Sequence, residues 1–153
     1  MFKSGTFVAE HVAPITDEQV QPNGVDLTVT SIDQFEGGGQ IARDGKTIGD
    51  RIPVEPENDW FELSSGSYVV RYGEQVTIPE GHIGFILPRS SLLRNGASLH
   101  TAVWDTGYEG RGAGLLTVGA PIEIEVGARI GQFVLATADH EGAYDGTYHG
   151  EGL

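Results

Sequence analysis

"IEIEVGARIGQFVLATA" (residues 122–138) settles the class of fold. Its first five residues alternate apolar and acidic, the period-two pattern of a strand with one face buried and the other in water. Gly127 then turns the chain into a second apolar run, "RIGQFVLATA" (129–138). The same grammar recurs in "VDLTVTSI" (25–32), "SYVVRYG" (67–73), "HIGFILP" (82–88), "SLHTAVW" (98–104) and "GLLTVG" (114–119), and "TIPEGHIGFI" again sets a Gly turn between two strands. Turn signals at this spacing predict an all-β sandwich or distorted barrel, not alternating βαβ units. Helix is confined to two short candidates. One is "ITDEQV" (15–20); the other is "SSLLRNG" (90–96), where Ser caps the start, Leu-Leu supplies an apolar side and Asn-Gly the stop. Residues 33–59, with "EGGGQ" and "VEPEND" at their ends, read as a long surface excursion compatible with a hairpin.

A chain of 153 residues is expected to form one domain, residues 1–153, with a core of its own. With 39% hydrophobic and 20% charged residues it reads as soluble and globular. No apolar run approaches the ~20 residues of a membrane span. "MFKSGTFVAEH" lacks the basic, apolar and small-residue order of a signal peptide, so a cytoplasmic location is expected. Cysteine is absent, which excludes disulfides, thiol nucleophiles and a Cys-ligated zinc deaminase centre. The 22 acidic residues outweigh 9 basic ones, of which only Lys3 and Lys46 are Lys, and the net charge is −13. Such a surface repels nucleic acid and anionic membranes, so neither is an expected partner. An acid-rich, Lys-poor chain also suits a salt-filled cytoplasm, where screening removes self-repulsion. The five His include no i, i+2 or i, i+4 pair, and there is no G-x-S-x-G elbow, so neither a protein-ligated zinc nor a serine hydrolase is expected.

Three segments carry chemistry. A helix beginning at Ser90 or Ser91 would aim unpaired first-turn N–H groups outward and favour an anion. Arg89 just before it offers a bidentate fork to phosphate oxygens, and Arg94 lies one turn on. Alone, a Ser there is usually only a cap. In "AVWDTGYEGRG" (102–112), Asp105 ends an apolar run ahead of a Gly turn and Tyr108. Asp commonly caps such turns, yet a carboxylate beside a phosphate site is also where a general base or a Mg²⁺ partner stands. Gln132, in "GARIGQFVL" (127–135), is polar in an apolar run and must find partners or face a cleft.

Together "NGVDLTV" (23–29), "PRSSLLRNG" (88–96), "AVWDTGYEGRG" (102–112), "GARIGQFVL" (127–135) and "YDGTYHGEG" (144–152) resemble the five ordered motifs of the dUTPase and dCTP deaminase superfamily, with residues 33–59 the main unmatched part. The resemblance implies a distorted jelly-roll-like β-barrel assembled as a homotrimer with active sites between subunits. It also implies Mg²⁺ carried by the triphosphate of a bound deoxynucleotide. Asp105 would ready the attacking water, and Tyr108 would pack on the deoxyribose and exclude a 2′-hydroxyl. Arg89, Ser90, Ser91 and Arg94 would bind phosphate. The 98–104 segment, Ala102 and Val103 included, would read the pyrimidine through its main chain, leaving His100 structural. Gln132 would lie near the α-phosphate or the water, Tyr148 would stack on the base, and Asp26, Tyr144 and His149 are further possible members.

Deaminases of this superfamily carry a Glu ten residues after the Asp of the third motif; here that position is Leu115, flanked by Gly114 and Leu116. A Leu cannot move a proton. The tail, by contrast, resembles the deaminase tail, with Thr147 and His149 flanking Tyr148 where Lys and Gln are usual, and no Arg follows Arg129. The expectation is therefore a dUTP diphosphatase releasing dUMP and pyrophosphate. Alternatives are a dCTP deaminase, alone or bifunctional, with its base at Glu109 or Glu123, and a non-catalytic nucleotide-binding trimer.

Overall fold

The computed structural model describes residues 1–153. Its spine is the 12-residue strand Gly24–Phe35. Val25, Asp26 and Leu27 are all buried, so this strand is covered on both faces. Arg129–Thr137 pairs antiparallel with the first part of the spine, and Gly66–Tyr72 with the remainder. Register shifts at Arg129/Gly131 and at Val29/Ser31 bend the ladder where it passes from one neighbour to the other. The eight-stranded sheet then runs His82–Pro88, Arg129–Thr137, Gly24–Phe35, Gly66–Tyr72, Ala113–Val118, Ala97–His100, with Val20–Gln21 and Arg51–Pro53 added alongside the spine.

Its two end strands nearly meet. Gly84 and Trp104 exchange N–H···O bonds of 2.9 and 3.0 Å, and the Ile86 N–H donates to Thr101 Oγ1 at 3.3 Å. Glycine is required at 84 for this approach, because a Cβ there would press on the Phe133 ring and Ile78. The result is a near-closed, distorted barrel around one cluster of 25 buried residues, as the alternation and turn spacing allow, and jelly-roll-like as the resemblance implies. No helix is long and apolar enough to cross a membrane.

Several details differ from the sequence-based expectation. The "IEIEV" strand, Ile122–Glu125, pairs with Trp60–Leu63 and not with the strand that follows it across Gly127. The strand expected over 98–104 ends at His100; residues 101–103 leave the ladder before Trp104 bridges to Gly84. "ITDEQV" forms only a 3₁₀ turn, Asp17–Gln19, with Gln19 Oε1 accepting from the Thr16 N–H at 2.9 Å. A helix missed in the sequence spans Gly5–Ala9, capped by Ser4. The helix Ser90–Arg94 forms as predicted, but Arg89 is its N-cap residue and no side chain caps it, so the expected Ser cap is absent. The excursion does contain a hairpin, Gln40–Ala42 with Gly45–Thr47, and returns to the spine through Arg51–Pro53.

Candidate active site

The turn after Trp104 is fixed at both ends. Its indole is buried, edge-on to Tyr108 with centroids 4.9 Å apart, and faces Phe133 at 6.1 Å. Thr106 Oγ1 donates to the Pro79 carbonyl at 3.0 Å, and the Gly107 N–H to Ile78 O at 2.9 Å. Gly107 sits at φ +83, the left-handed region that this turn needs. Asp105 projects from this rigid turn with its side chain exposed and engaged in no ion pair or hydrogen bond.

Beside it opens a cavity of about 390 Å³, lined by Ala102, Val103, Trp104, Asp105 and Tyr108. Because 101–103 have left the sheet, the Ala102 N–H and both the N–H and C=O of Val103 have no partner within the chain. They offer main-chain donors and an acceptor on an otherwise apolar wall. Tyr108 is 6% exposed, and burial, with a smaller push from Glu151, raises its phenol to about 12. It is a neutral, immobile wall at any physiological pH. Gly112 completes the floor under the Trp104 ring, which a Cβ there would overlap.

The C-terminal residues fold back over this cavity on their own chain. The Tyr144 N–H donates to Thr106 O at 2.7 Å, the Gly150 N–H to Glu109 O at 2.7 Å, and the Arg111 N–H to Glu151 O at 2.8 Å. The Glu151 carboxylate pairs with Arg71 at 3.2 Å. Tyr144, Tyr148 and Glu151 thereby join the lining, and Tyr144 meets Tyr108 edge-on at 5.4 Å. His149 stacks on Tyr144 at 6.3 Å and does not line the cavity, so within one chain this possible member stays outside it. Ile48 and Arg51 enter from the 33–59 excursion, and Lys46 Nζ lies 4.9 Å from the Tyr148 ring centroid. Sequence reasoning missed all three, since that excursion matches no motif.

The phosphate half lies elsewhere on the chain. Asp26, 2% exposed, receives Arg89 Nε at 3.0 Å and Arg129 Nη1 at 3.4 Å. Burial raises its carboxyl above the ordinary range, with Arg89 and then Arg129 opposing. Arg89 Nη1 also donates to Arg129 O at 3.3 Å. The guanidinium, all donors and so unable to cap helix N–H groups, is engaged with Asp26 and the Arg129 carbonyl and offers no free fork within the chain. Gln132 stands opposite Asp26 in register and packs across Gly24. Ser90 and Arg94 are exposed, while Ser91 and Arg129 line a separate hollow of about 210 Å³. Gly84, bridged to Trp104, is five residues from Arg89 along an extended strand, about 16 Å at 3.3 Å per residue. The structure brings together Asp105, Ala102, Val103, Tyr108, Tyr144 and Tyr148. It does not bring Arg89, Ser90, Ser91, Arg94, Gln132 and Asp26 to them within one chain.

A family model described as dCTP deaminase-like matches residues 3–138. The chain belongs to the dUTPase and dCTP deaminase superfamily. A relative from Halobacterium salinarum, named a probable deoxyuridine 5′-triphosphate nucleotidohydrolase, is 53% identical over 99% of this chain and 95% of its own length. A solved dCTP deaminase from Agrobacterium tumefaciens shares the fold at TM-score 0.66 and 18% identity, covering 90% of this chain and 48% of that one. A dUTPase mutant from phage phi11 of S. aureus, described as revealing the coordination of a structural Mg(II) ion, shares it at TM-score 0.52 and 14% identity, over 88% and 89% of the two chains.

In this member of the superfamily the deaminase-type base has no substitute on the cavity. Leu115 sits opposite His100 in the ladder and does not line the cavity; the exposed His100 ring lies against Thr117 Oγ1 at 3.1 Å and does not line it either. Glu109 accepts from Gln75 Nε2 at 2.5 Å, and Glu123 lies on the separate Ile122–Glu125 strand; neither reaches the cavity. Glu151 is its one other carboxylate, and Arg71 holds it. No group of three or more His, Asp or Glu side chains could cage a metal ion.

Proposed function

We propose that residues 1–153 act as one domain that hydrolyses dUTP to dUMP and pyrophosphate. One observation carries this reading: Asp105 is the unpaired carboxylate on an aromatic cavity whose wall presents free main-chain groups. The name of the H. salinarum relative agrees with it. The Ala102 and Val103 main chain would pair with the pyrimidine edge, and Tyr108 would pack on the deoxyribose, too rigidly held to admit a 2′-hydroxyl. Tyr148 would stack over the base, with Tyr144 bracing Tyr108. Asp105 takes a proton from water as its oxygen bonds to the α-phosphorus; the bond to the α,β-bridging oxygen breaks and pyrophosphate leaves with that electron pair.

The separation of the two halves supports a homotrimer. In it Arg89, Ser90, Ser91, Arg94 and Gln132 of one copy meet the Asp105 cavity of another, and Asp26 fixes Arg89 for that meeting. Mg²⁺ would be held through the substrate's triphosphate, since the chain supplies no cage of three or more carboxylates or imidazoles, and would offset phosphate charge against a −13 protein. The enzyme is read as cytoplasmic and salt-adapted, without a nucleic-acid polymer or a membrane as partner. Incubating the protein with each deoxynucleoside triphosphate and Mg²⁺, and measuring pyrophosphate and ammonia separately, tests the reading. Pyrophosphate from dUTP alone supports it; ammonia from dCTP overturns it in favour of a deaminase.

A further inference from the structure

Three of the seven arginines are spoken for by carboxylates: Arg89 and Arg129 share Asp26, and Arg71 holds Glu151. Arg43, Arg94 and Arg111 have no carboxylate within 4.0 Å and do not line the Asp105 cavity. Arg51 has none either, and it does line that cavity. Lys46, from the same excursion, does not line the cavity and lies over the Tyr148 ring. Residues 130–153, which fold over the cavity, contain neither Lys nor Arg.

Arg51 is carried on a fixed base. It lies opposite Phe35 in the ladder to the spine, and the next turn is clamped by Glu36 and Gly37 N–H groups that both donate to Asp50 O, at 2.9 and 3.1 Å. Gly49 crosses Gly37 so closely that a Cβ would overlap the Gly37 carbonyl oxygen. A half-buried guanidinium without a counter-ion, held from a sheet strand on the same cavity as a free carboxylate but not paired with it, has no structural partner to serve. In a chain of net charge −13, it is the cavity's one unspent positive charge.

We propose that Arg51, supplied by the 33–59 excursion, is a substrate-contacting residue that binds a non-bridging phosphate oxygen of the nucleotide in the Asp105 cavity. This rests on the reading of that cavity as a deoxyuridine nucleotide site. A planar guanidinium matches two phosphate oxygens at once and stays charged at any working pH.

Binding of dUMP and of deoxyuridine to wild-type, Arg51→Gln and Arg51→Lys proteins, alongside dUTP kinetics and thermal melting, tests it. The expected result is at least a tenfold loss of dUMP affinity in Arg51→Gln, with deoxyuridine affinity and Tm unchanged. KM for dUTP should rise in parallel, and Arg51→Lys should recover part of the loss. Unchanged dUMP affinity, or an equal loss for dUMP and deoxyuridine, overturns the inference while leaving dUTP hydrolysis standing. A lowered Tm with no recovery by Lys marks Arg51 as structural and also overturns it. A wild-type protein that binds no dUMP and hydrolyses no dUTP overturns the site reading itself.

Discussion

Replacing Asp26 by Asn should cost far less stability than two ion pairs suggest. At 3.0 and 3.4 Å each guanidinium attracts the carboxylate by about 5 kcal/mol at an effective dielectric of 20. Against this stands removal of a carboxylate 2% exposed from water, a penalty of several kcal/mol. The balance has a definite sign: burial outweighs both arginines and raises the Asp26 carboxyl. An acid whose folded value is raised contributes stability that is full below its ordinary 3.8 and lost as pH rises through the raised value. As pH rises through the raised value the wild type loses that contribution, whereas Asn presents the neutral shape at every pH. Both guanidiniums are 32% exposed, so water meets the charge that Asn leaves behind. Urea unfolding at pH 7 should place Asp26→Asn within about 1 kcal/mol of wild type, and Asp26→Ala about 2 kcal/mol lower because its neighbours' N–H groups lose their acceptor. As pH falls toward 3.8, the wild type should gain on Asp26→Asn. A loss of about 3–5 kcal/mol for Asn at pH 7, the cost of breaking a strong buried pair, would refute this reasoning.

Asp105→Asn should lower kcat for dUTP by roughly 10²–10⁴ while nucleotide affinity, followed by titration, stays within a few-fold. Gly112→Ala places a methyl group on the Trp104 ring and an L-residue at φ +41; unfolding free energy should fall by about 2–5 kcal/mol, and KM should rise as the indole tilts into the cavity. Raising KCl from 0.1 to 1 M shortens the screening length from about 10 to about 3 Å, so a −13 chain should melt at a higher temperature; scanning calorimetry showing no rise contradicts the salt-adapted reading.

The barrel was readable because its strands obey local rules: alternation in Ile122–Glu125 and Gly-bounded apolar runs such as His82–Pro88, which forms as bounded. Strand partners were not readable, since nothing local tells Ile122–Glu125 to pair with Trp60–Leu63 across a long stretch of chain. Asp105, Tyr108 and Tyr148 stood in recognisable motifs and lie on one cavity. Arg51 and Ile48 were invisible because they come from a segment with no motif, and only the fold carries them there. The Ser cap failed because both serines lie inside the helix, Ser90–Arg94, and the cap position falls on Arg89, whose side chain has no acceptor and pairs instead with Asp26, some sixty positions upstream.

The paired bonds between Gly84 and Trp104 that draw the sheet's end strands together also anchor the residue preceding Asp105. The seam of the barrel therefore runs directly beneath the reactive group. Loosening one loosens the other, so heat should extinguish turnover and melt the sheet in a single event, leaving no temperature at which a folded but inert enzyme accumulates.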